Sequence, residues 1–575
     1  MNVEGPDRNF SVILLVLRRL RGPLILMVTL FALSVLGMAL APGPPDAEGR
    51  PTHLSLFHAF YFVSYTATTI GFGEVPEAFS DAQRLWAIVV IYLSVLAWAY
   101  LLKQAVTLMQ DEALRRAVAA LGFARRVRRL HHPFVLIAGF GETGAQLALA
   151  LDREGIATVA LDLDPKKIER AEMMEFVHPP VTLAADASDP NVLLAAGLRQ
   201  PRCAAVAAMT DDDAANLAVT VTQGLLAPRL PTVCRAEHDA TVANMAEFAT
   251  TAIIDPSHVF QNDLALALEH PAAWRVRQIL LDMPMDEIRT DRPPPRGRWI
   301  ICGAGRLGLA AEAALRGSEL ELVVIDRAAT DGGKHSEWIT GDATQAEVLR
   351  RAGIEKAVGI VAATSNDIDN ISILVAARRL NPSLYTIVRQ NRRRNEALFA
   401  AFHYDLRVVP RHLVAAEALA WLRLPEIPAF LAWLANAPQE LAHDLQETLL
   451  RLRRHGPLRN LKIAILPQTA PALWHALADD SGVTLERLLR SPSLRPEPLA
   501  LRVLALEREG HWQPLPEPST LLRRGDVLLV SGTAAALADL KEICGYEPTL
   551  YYVLEGRERP QTWLGRWWAK RAPEG

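Results

Sequence analysis

Two uncharged apolar runs, Leu24–Ala41 and Leu85–Leu102, stand out in the first hundred or so residues, each 18 residues long. At about 1.5 Å of rise per residue, helices of that length come close to spanning a hydrocarbon core of roughly 30 Å. The pattern predicts two membrane spans. The first run is longer than the apolar stretch of a typical secretion signal, and the second returns the chain, so both are read as permanent. The segment Asn9–Leu20 reads equally well as a short amphipathic helix on the inner surface or as an extension of the first span. Between the spans, Leu54–Thr69 is aromatic-rich and too short to cross. It predicts a re-entrant helix leading into non-helical backbone, which is tolerated at membrane depth only where protein buries it or it lines a cavity.

Beyond residue 130 the pattern changes. Short, continuously apolar runs alternate with helical ones, as expected of a parallel sheet covered on both faces. The run FVLIAGFGETG sets Gly139, Gly141 and Gly144 after a strand, and the next strand ends at Asp162, 23 residues beyond Gly139. The run RWIICGAGRLG repeats this with Gly303, Gly305 and Gly308, and its next strand ends at Asp326, again 23 residues on. Both copies continue through an Asp-Ala step (Asp186, Asp342) to a strand ending in threonine (Thr210, Thr364). Each then reaches a strand ending in arginine 25 residues later, at Arg235 and Arg389. Such agreement of order and spacing identifies an internal duplication. A helical stretch, Val259–Leu281, and a proline-rich linker, Arg292–Arg296, join the copies.

The predicted fold is an α-helical membrane pore domain (two spans plus a pore helix), two Rossmann-like doubly wound α/β domains and a small α+β C-terminal lobe. Its expected boundaries are a pore domain over 1–108, a helical connector over 109–132, a first α/β domain over 133–291 and a linker over 292–297. A second α/β domain over 298–456, a C-terminal lobe over 457–556 and a tail over 557–575 complete the chain.

Charge refines the picture. Lys and Arg gather before the first run (Arg18, Arg19, Arg21) and after the second (Lys103, Arg115, Arg116, Arg125, Arg126), which puts both flanks on the cytoplasmic side. A net charge of −3 gives no electrostatic case for nucleic acid as a partner. The four cysteines, Cys203, Cys234, Cys302 and Cys544, form no CxxC pair and read as reduced core thiols.

The candidate chemistry lies in two places. The segment Thr69, Ile70, Gly71, Phe72, Gly73 can present carbonyls, and the Thr69 hydroxyl, toward an axis, because its glycines permit the required backbone angles. One such segment cannot enclose an ion. In the glycine loops, the backbone can approach a pyrophosphate at a helix N-terminus, while Asp162 and Asp326 can accept from ribose hydroxyls.

The run TTIGFGE (Thr68–Glu74) resembles the potassium-channel signature TTVGYGD. Phe72 lacks the hydroxyl that often ties such a filter to its supporting helix. The glycine-free second span moves the gate's pivot to near Ser94 or to the connector. Residues 134–545 or so resemble the RCK/KTN family, regulators of potassium conductance and transport, with LALRVLALEREG and RRGDVLLVSGT matching its C-terminal lobe. Together these resemblances imply a two-transmembrane prokaryotic potassium channel in the inner membrane lipid bilayer. They imply a homotetramer with a cytoplasmic ring of eight RCK domains, permeated by K+ and gated by a small-molecule nucleotide. The family places Arg235 and Arg389 facing phosphates, and Arg306 adds a cation to the second loop. Glu142 at the equivalent place in the first loop points to a dinucleotide such as NAD(H) there, and to ADP or ATP in the second. Asp211 and Glu237 lie near positions where calcium-gated relatives carry carboxylates, which makes Ca2+ a further candidate, disfavoured by Arg235. A membrane-anchored NAD-dependent oxidoreductase and a regulatory subunit of a transporter are the competing readings. No general acid or base constellation supports the first, so no enzyme activity is expected. A separate regulator would not need its own filter.

Overall fold

The computed structural model describes residues 8–45, 50–74, 78–248, 250–282, 293–317, 320–328, 336–478 and 482–556. The expected tail, 557–575, and Arg292 of the expected linker lie outside them. The chain divides into two compact units, 1–129 and 130–575.

In the first unit, helix α1 (Arg8–Leu40) runs continuously through Pro23, so Asn9–Leu20 extends the first span and is not a separate surface helix. A short antiparallel pair, β1 (Pro42–Pro45) and β2 (Pro51–His53), follows. Helix α2 (Leu56–Ala67) is capped by Ser55, whose hydroxyl accepts from the His58 N–H. Helix α3 (Asp81–Met109) opens with a capping box between Ser80 and Gln83, and α4 (Glu112–Arg128) is capped by Asp111. The apolar windows of α1 and α3 are only 17% and 11% buried. A core helix of a soluble domain would hide such a surface; here Val28, Leu36, Leu85 and Leu96 stand exposed, as membrane-spanning helices require. Trp86 locks α3 to α1 by donating to the Ser34 carbonyl at 3.0 Å, over Gly37, where a Cβ would fall 2.2 Å from its ring.

The second unit contains two six-stranded parallel sheets. In the first, β3 (Phe134–Ala138), β4 (Ala157–Asp162), β5 (Val181–Ala184), β6 (Cys203–Ala208), β7 (Thr232–Arg235) and β8 (Ala252–Ile254) lie in the order β5-β4-β3-β6-β7-β8. In the second, β9 (Arg298–Cys302), β10 (Glu321–Asp326), β11 (Glu337–Thr340), β12 (Gly359–Ala362), β13 (Tyr385–Arg389) and β14 (Leu406–Val408) repeat it as β11-β10-β9-β12-β13-β14. All five residues of β3 are buried, so an unbroken apolar run suits a strand covered on both faces. The strand order reverses beside β3 and beside β9, where doubly wound sheets open a crevice at their carboxyl ends.

The helices that matter for the site are α5 (Glu142–Arg153), α6 (Asp213–Leu226), α7 (Pro256–Glu269), α8 (Pro271–Leu280), α9 (Arg306–Gly317), α10 (Asp367–Leu380) and α11 (Pro410–Arg423). The expected stretch Val259–Leu281 is two helices, broken at Pro271, which starts α8. The copies exchange helices. Phe260, Leu264 and Ala267 of α7 pack with Leu307, Ala311 and Leu315 of α9. Val414, Ala415 and Ala418 of α11 pack with Leu147, Ala148 and Leu151 of α5. Each copy therefore covers the glycine-loop helix of the other. At the centre, Arg277 pairs with Asp263 at 3.1 Å and with Glu417 at 2.8 Å.

A four-stranded antiparallel sheet closes the unit. Its strands β15 (Leu458–Ala464), β16 (Leu501–Arg508), β17 (His511–Pro514) and β18 (Val527–Thr533) lie in the order β15-β18-β16-β17. All four cysteines are buried and free.

Candidate filter and nucleotide sites

The candidate filter is the segment that follows α2. Its φ values are positive at Thr69 (62°), Gly71 (67°) and Gly73 (90°), and at neither Ile70 nor Phe72. Every second residue is thus left-handed, the alternation that turns successive carbonyls to one side. Threonine in that region is strained, so the fold around it must hold it there. Tyr65 does so from the end of α2. Its carbonyl accepts from the Ile70 N–H at 2.9 Å and the Gly71 N–H at 3.4 Å, while its hydroxyl donates to the Gly73 carbonyl at 2.5 Å. Phe72 carries no hydroxyl; its ring meets Tyr65 edge-on at 5.5 Å and stacks on Tyr61 at 6.3 Å. The tie expected to be missing at Phe72 is supplied from the helix instead. Just past the filter, Glu74 accepts from Arg84 at 2.8 and 3.2 Å and from the Phe79 N–H at 2.9 Å. Ile70 and Phe72 keep 59% and 60% of their surface exposed, leaving the segment open on one side.

In the first α/β copy, Gly139, Gly141, Asp162, Asp186 and Thr210 line one cavity of about 570 Å³ at the sheet's switch point. The glycines divide by purpose. A Cβ on Gly144 would lie 1.9 Å from the Gly139 carbonyl oxygen, and one on Gly308 would lie 1.8 Å from that of Gly303. These third glycines serve close packing. A Cβ on Gly141 would meet nothing nearer than 3.8 Å, and one on Gly305 nothing within 4 Å. Close packing therefore does not explain glycine at 141 or 305.

Asp162 holds its loop through the Phe140 N–H at 2.8 Å and its strand end through the Asp164 N–H at 2.9 Å. Asp326 does the same through Ala304 (2.6 Å) and Ala328 (2.9 Å). Asp186 and Asp342 each accept from the backbone and hydroxyl of the residue two on, Ser188 and Thr344, and these bonds hold both carboxyls below the usual range. In the second copy Arg327 bridges Asp342 (2.9 Å) and Asp369 (3.3 Å), where the first has the exposed Leu163.

Two buried asparagines escaped the sequence reading. Asn216 accepts from the Thr210 N–H and donates to the carbonyls of Thr210 and Arg235; Asn370 does the same with Thr364 and Arg389. Each lies six residues beyond its threonine, a recurrence visible in the duplication.

Several cations and carboxylates lie elsewhere than expected. Arg235 pairs with Asp211 and Glu237, so the two carboxylates flank a guanidinium and not a vacant cation site. Arg235 does not line the first cavity. Among the described residues no three acidic, histidine or cysteine side chains are grouped to hold a metal. Arg306 of the second loop reaches the first copy, pairing with the Glu237 carboxylate and donating to its carbonyl at 3.0 Å. Glu142 of the first loop reaches the second copy, pairing with Arg411 at 3.3 Å and accepting from the Arg393 N–H at 3.5 Å. The inequality between Glu142 and Arg306 is therefore an exchange of charges across the copies. Arg389 sits by the same cluster; burial pulls its guanidinium below its ordinary value and nearby Arg306 adds repulsion.

Residues 24–111 match the ion channel family, residues 135–256 and 299–410 the TrkA-N domain, and residues 481–545 the TrkA-C domain. "Potassium channel protein 1" of Methanocaldococcus jannaschii is 25% identical over 250 residues, 42% of this chain and 65% of that protein. "Probable potassium channel protein 2" of the same organism is 25% identical over 259 residues, 43% of this chain and 67% of its own length. The chain spans about two thirds of the length of these relatives. Of the solved structures, "GsuK channel bound to NAD" aligns at 18% identity with a TM-score of 0.44, over 92% of this chain and 99% of that one.

Proposed function

We propose that this chain is the subunit of a potassium-selective channel, opened and closed by nucleotides at its TrkA-N domains. The alternating φ of Thr69, Gly71 and Gly73, held by Tyr65 between two apolar spans, carries this reading. A single segment with one open side supports a ring of four copies, with the carbonyls of Thr69 to Phe72 replacing the hydration shell of K+. Both termini lie on the cytoplasmic side of a prokaryotic inner membrane, where eight α/β domains form the control ring. The open second glycines support binding of NAD(H), ADP or ATP against the loop backbone, with Asp162 and Asp326 toward the ribose. Because α3 and α4 lead directly into β3, a ligand favouring one arrangement of the α/β copies over another would bias the span. A ligand binding both arrangements equally would not gate.

The test is flux in vesicles containing only the purified chain. Potassium is expected to pass in preference to sodium, with a rate that responds to adenine nucleotides. Absence of flux under every nucleotide condition overturns the reading.

A further inference from the structure

We propose that the cleft between the first glycine loop and the arginine run after β13 is a subsite for a phosphate-type polyanion, with Glu142 as the internal counter-ion that the ligand displaces. It rests on the nucleotide reading only for one source of the anion, the terminal phosphates of a nucleotide. A cavity of about 650 Å³ lies there, lined by Lys167, Arg170, Arg392, Arg393, Arg394 and Arg411 against the carboxylates Glu142 and Asp211. It adjoins the first copy's loop cavity, and Gly141, Lys167 and Asp211 line both.

The two cavities have opposite chemistry. The loop cavity carries Asp162, Asp186, Asp211 and Asp212 with Lys167 as the one cation of its lining, which suits hydroxyl donors better than a cluster of terminal phosphates. The neighbouring cavity carries six cations. Lys167 is paired with Asp162 at 3.4 Å and Arg411 with Glu142, but among the described residues Arg170, Arg392, Arg393 and Arg394 make no ion pair. Three consecutive exposed arginines beside three further cations repel one another unless an anion joins them. Guanidinium groups present paired donors that match phosphate oxygens. Glu142, 42% exposed, is the anion the chain itself offers. A ligand bringing more charge would take its place, loosening a contact between the copies. The phosphate-binding cations that the first loop lacks are thus supplied by the second copy. The anion can be the terminal phosphates of a nucleotide whose nucleoside lies in the loop cavity, or a free inorganic polyanion.

Calorimetric titration of the purified full chain with AMP, ATP and inorganic pyrophosphate separates these. The variants are the triple R392Q/R393Q/R394Q and Glu142→Gln, with thermal unfolding confirming that each is folded. ATP is expected to bind at least about tenfold more tightly than AMP. The triple variant should abolish that advantage while leaving AMP unchanged, and Glu142→Gln should widen it. Pyrophosphate binding that the triple variant abolishes, with neither AMP nor ATP bound, supports the subsite for a free anion and overturns the nucleotide reading. Tight ATP binding unchanged in both variants overturns the subsite and leaves the nucleotide reading standing. Equal binding of AMP and ATP with no pyrophosphate bound also overturns the subsite.

Discussion

The Tyr65 hydroxyl donates to the Gly73 carbonyl at 2.5 Å, so the last residue of the proposed filter is fastened to the helix that precedes it. The same residue's carbonyl receives the N–H groups of Ile70 and Gly71, so one side chain and its own backbone bracket the whole segment. Tyr65→Phe removes only the outer fastening. A neutral hydrogen bond contributes about 1 kcal/mol net, or roughly a fivefold change in an equilibrium. The expected outcome is a filter that still selects potassium but leaves its conducting form about fivefold more readily, measured as faster decay of single-channel activity. Unchanged open-state lifetimes would show that the bond holds nothing.

Glu74 gives a pH prediction. Its carboxyl is held down at about 2, first by the hydrogen bond from Arg84 and then by the Phe79 N–H. A lowered native value means that its contribution is complete above the ordinary carboxylate range and is lost only as pH falls toward about 2. Potassium flux is therefore expected to stay flat between pH 7 and pH 5. Glu74→Gln should reproduce the protonated state at neutral pH, weakening the link to Arg84. A fall in flux across that pH window, abolished by Glu74→Gln, would contradict the pairing.

The glycine loops separate packing from binding by substitution. Gly144→Ala and Gly308→Ala put a methyl group within 2 Å of backbone oxygen and should cost about 1–3 kcal/mol or more by overpacking. Gly141→Ala and Gly305→Ala meet no such obstacle and should fold normally. If phosphate is held against that backbone, each should lose a charge-assisted bond of about 1.5–3 kcal/mol, roughly 10- to 150-fold in nucleotide affinity. Paired measurements of unfolding and nucleotide binding check both halves.

Local patterning made much of this architecture readable. The spans, the TTIGFG segment and the duplication are runs of adjacent residues or fixed intervals, and each fixes its own element. What stayed hidden depends on which copy a side chain faces. Glu142 and Arg306 occupy equivalent loop positions, so a sequence reading compares them within their own sites. The exchange of α7 and α11 instead turns each toward the other copy. Arg235 was expected to face phosphate, but its carboxylate partners are one residue before α6's cap and two residues past β7, a closure that only the folded sheet edge brings about. Tyr65 was unreadable for a similar reason. The missing hydroxyl of Phe72 was visible, but its replacement one helical turn upstream of the filter needs the geometry of the turn.

Arg277 tests whether the exchange of helices holds the copies together. It comes from α8 and binds Asp263 of α7, within the first copy, and Glu417 of α11, within the second. Gln278 completes the group by donating to Asp263 at 3.1 Å. Burial pushes the Asp263 carboxyl upward, against the pull of Arg277. Removing the guanidinium leaves two carboxylates without their cation in a buried setting, a change that costs about 3–5 kcal/mol. Arg277→Met should accordingly lower hydrogen-exchange protection in 256–280 and 410–423 of the intact chain at neutral pH. The sign with pH follows from the raised carboxyl: the native state binds the proton more tightly than the unfolded chain, so stability grows as pH falls through the native value. Part of the lost protection should therefore return on acidification. Glu417→Gln keeps the Arg277–Asp263 pair and should cost less. Protection unchanged in Arg277→Met would mean that the apolar contacts of Phe260, Leu264 and Leu307 suffice to hold the exchanged helices.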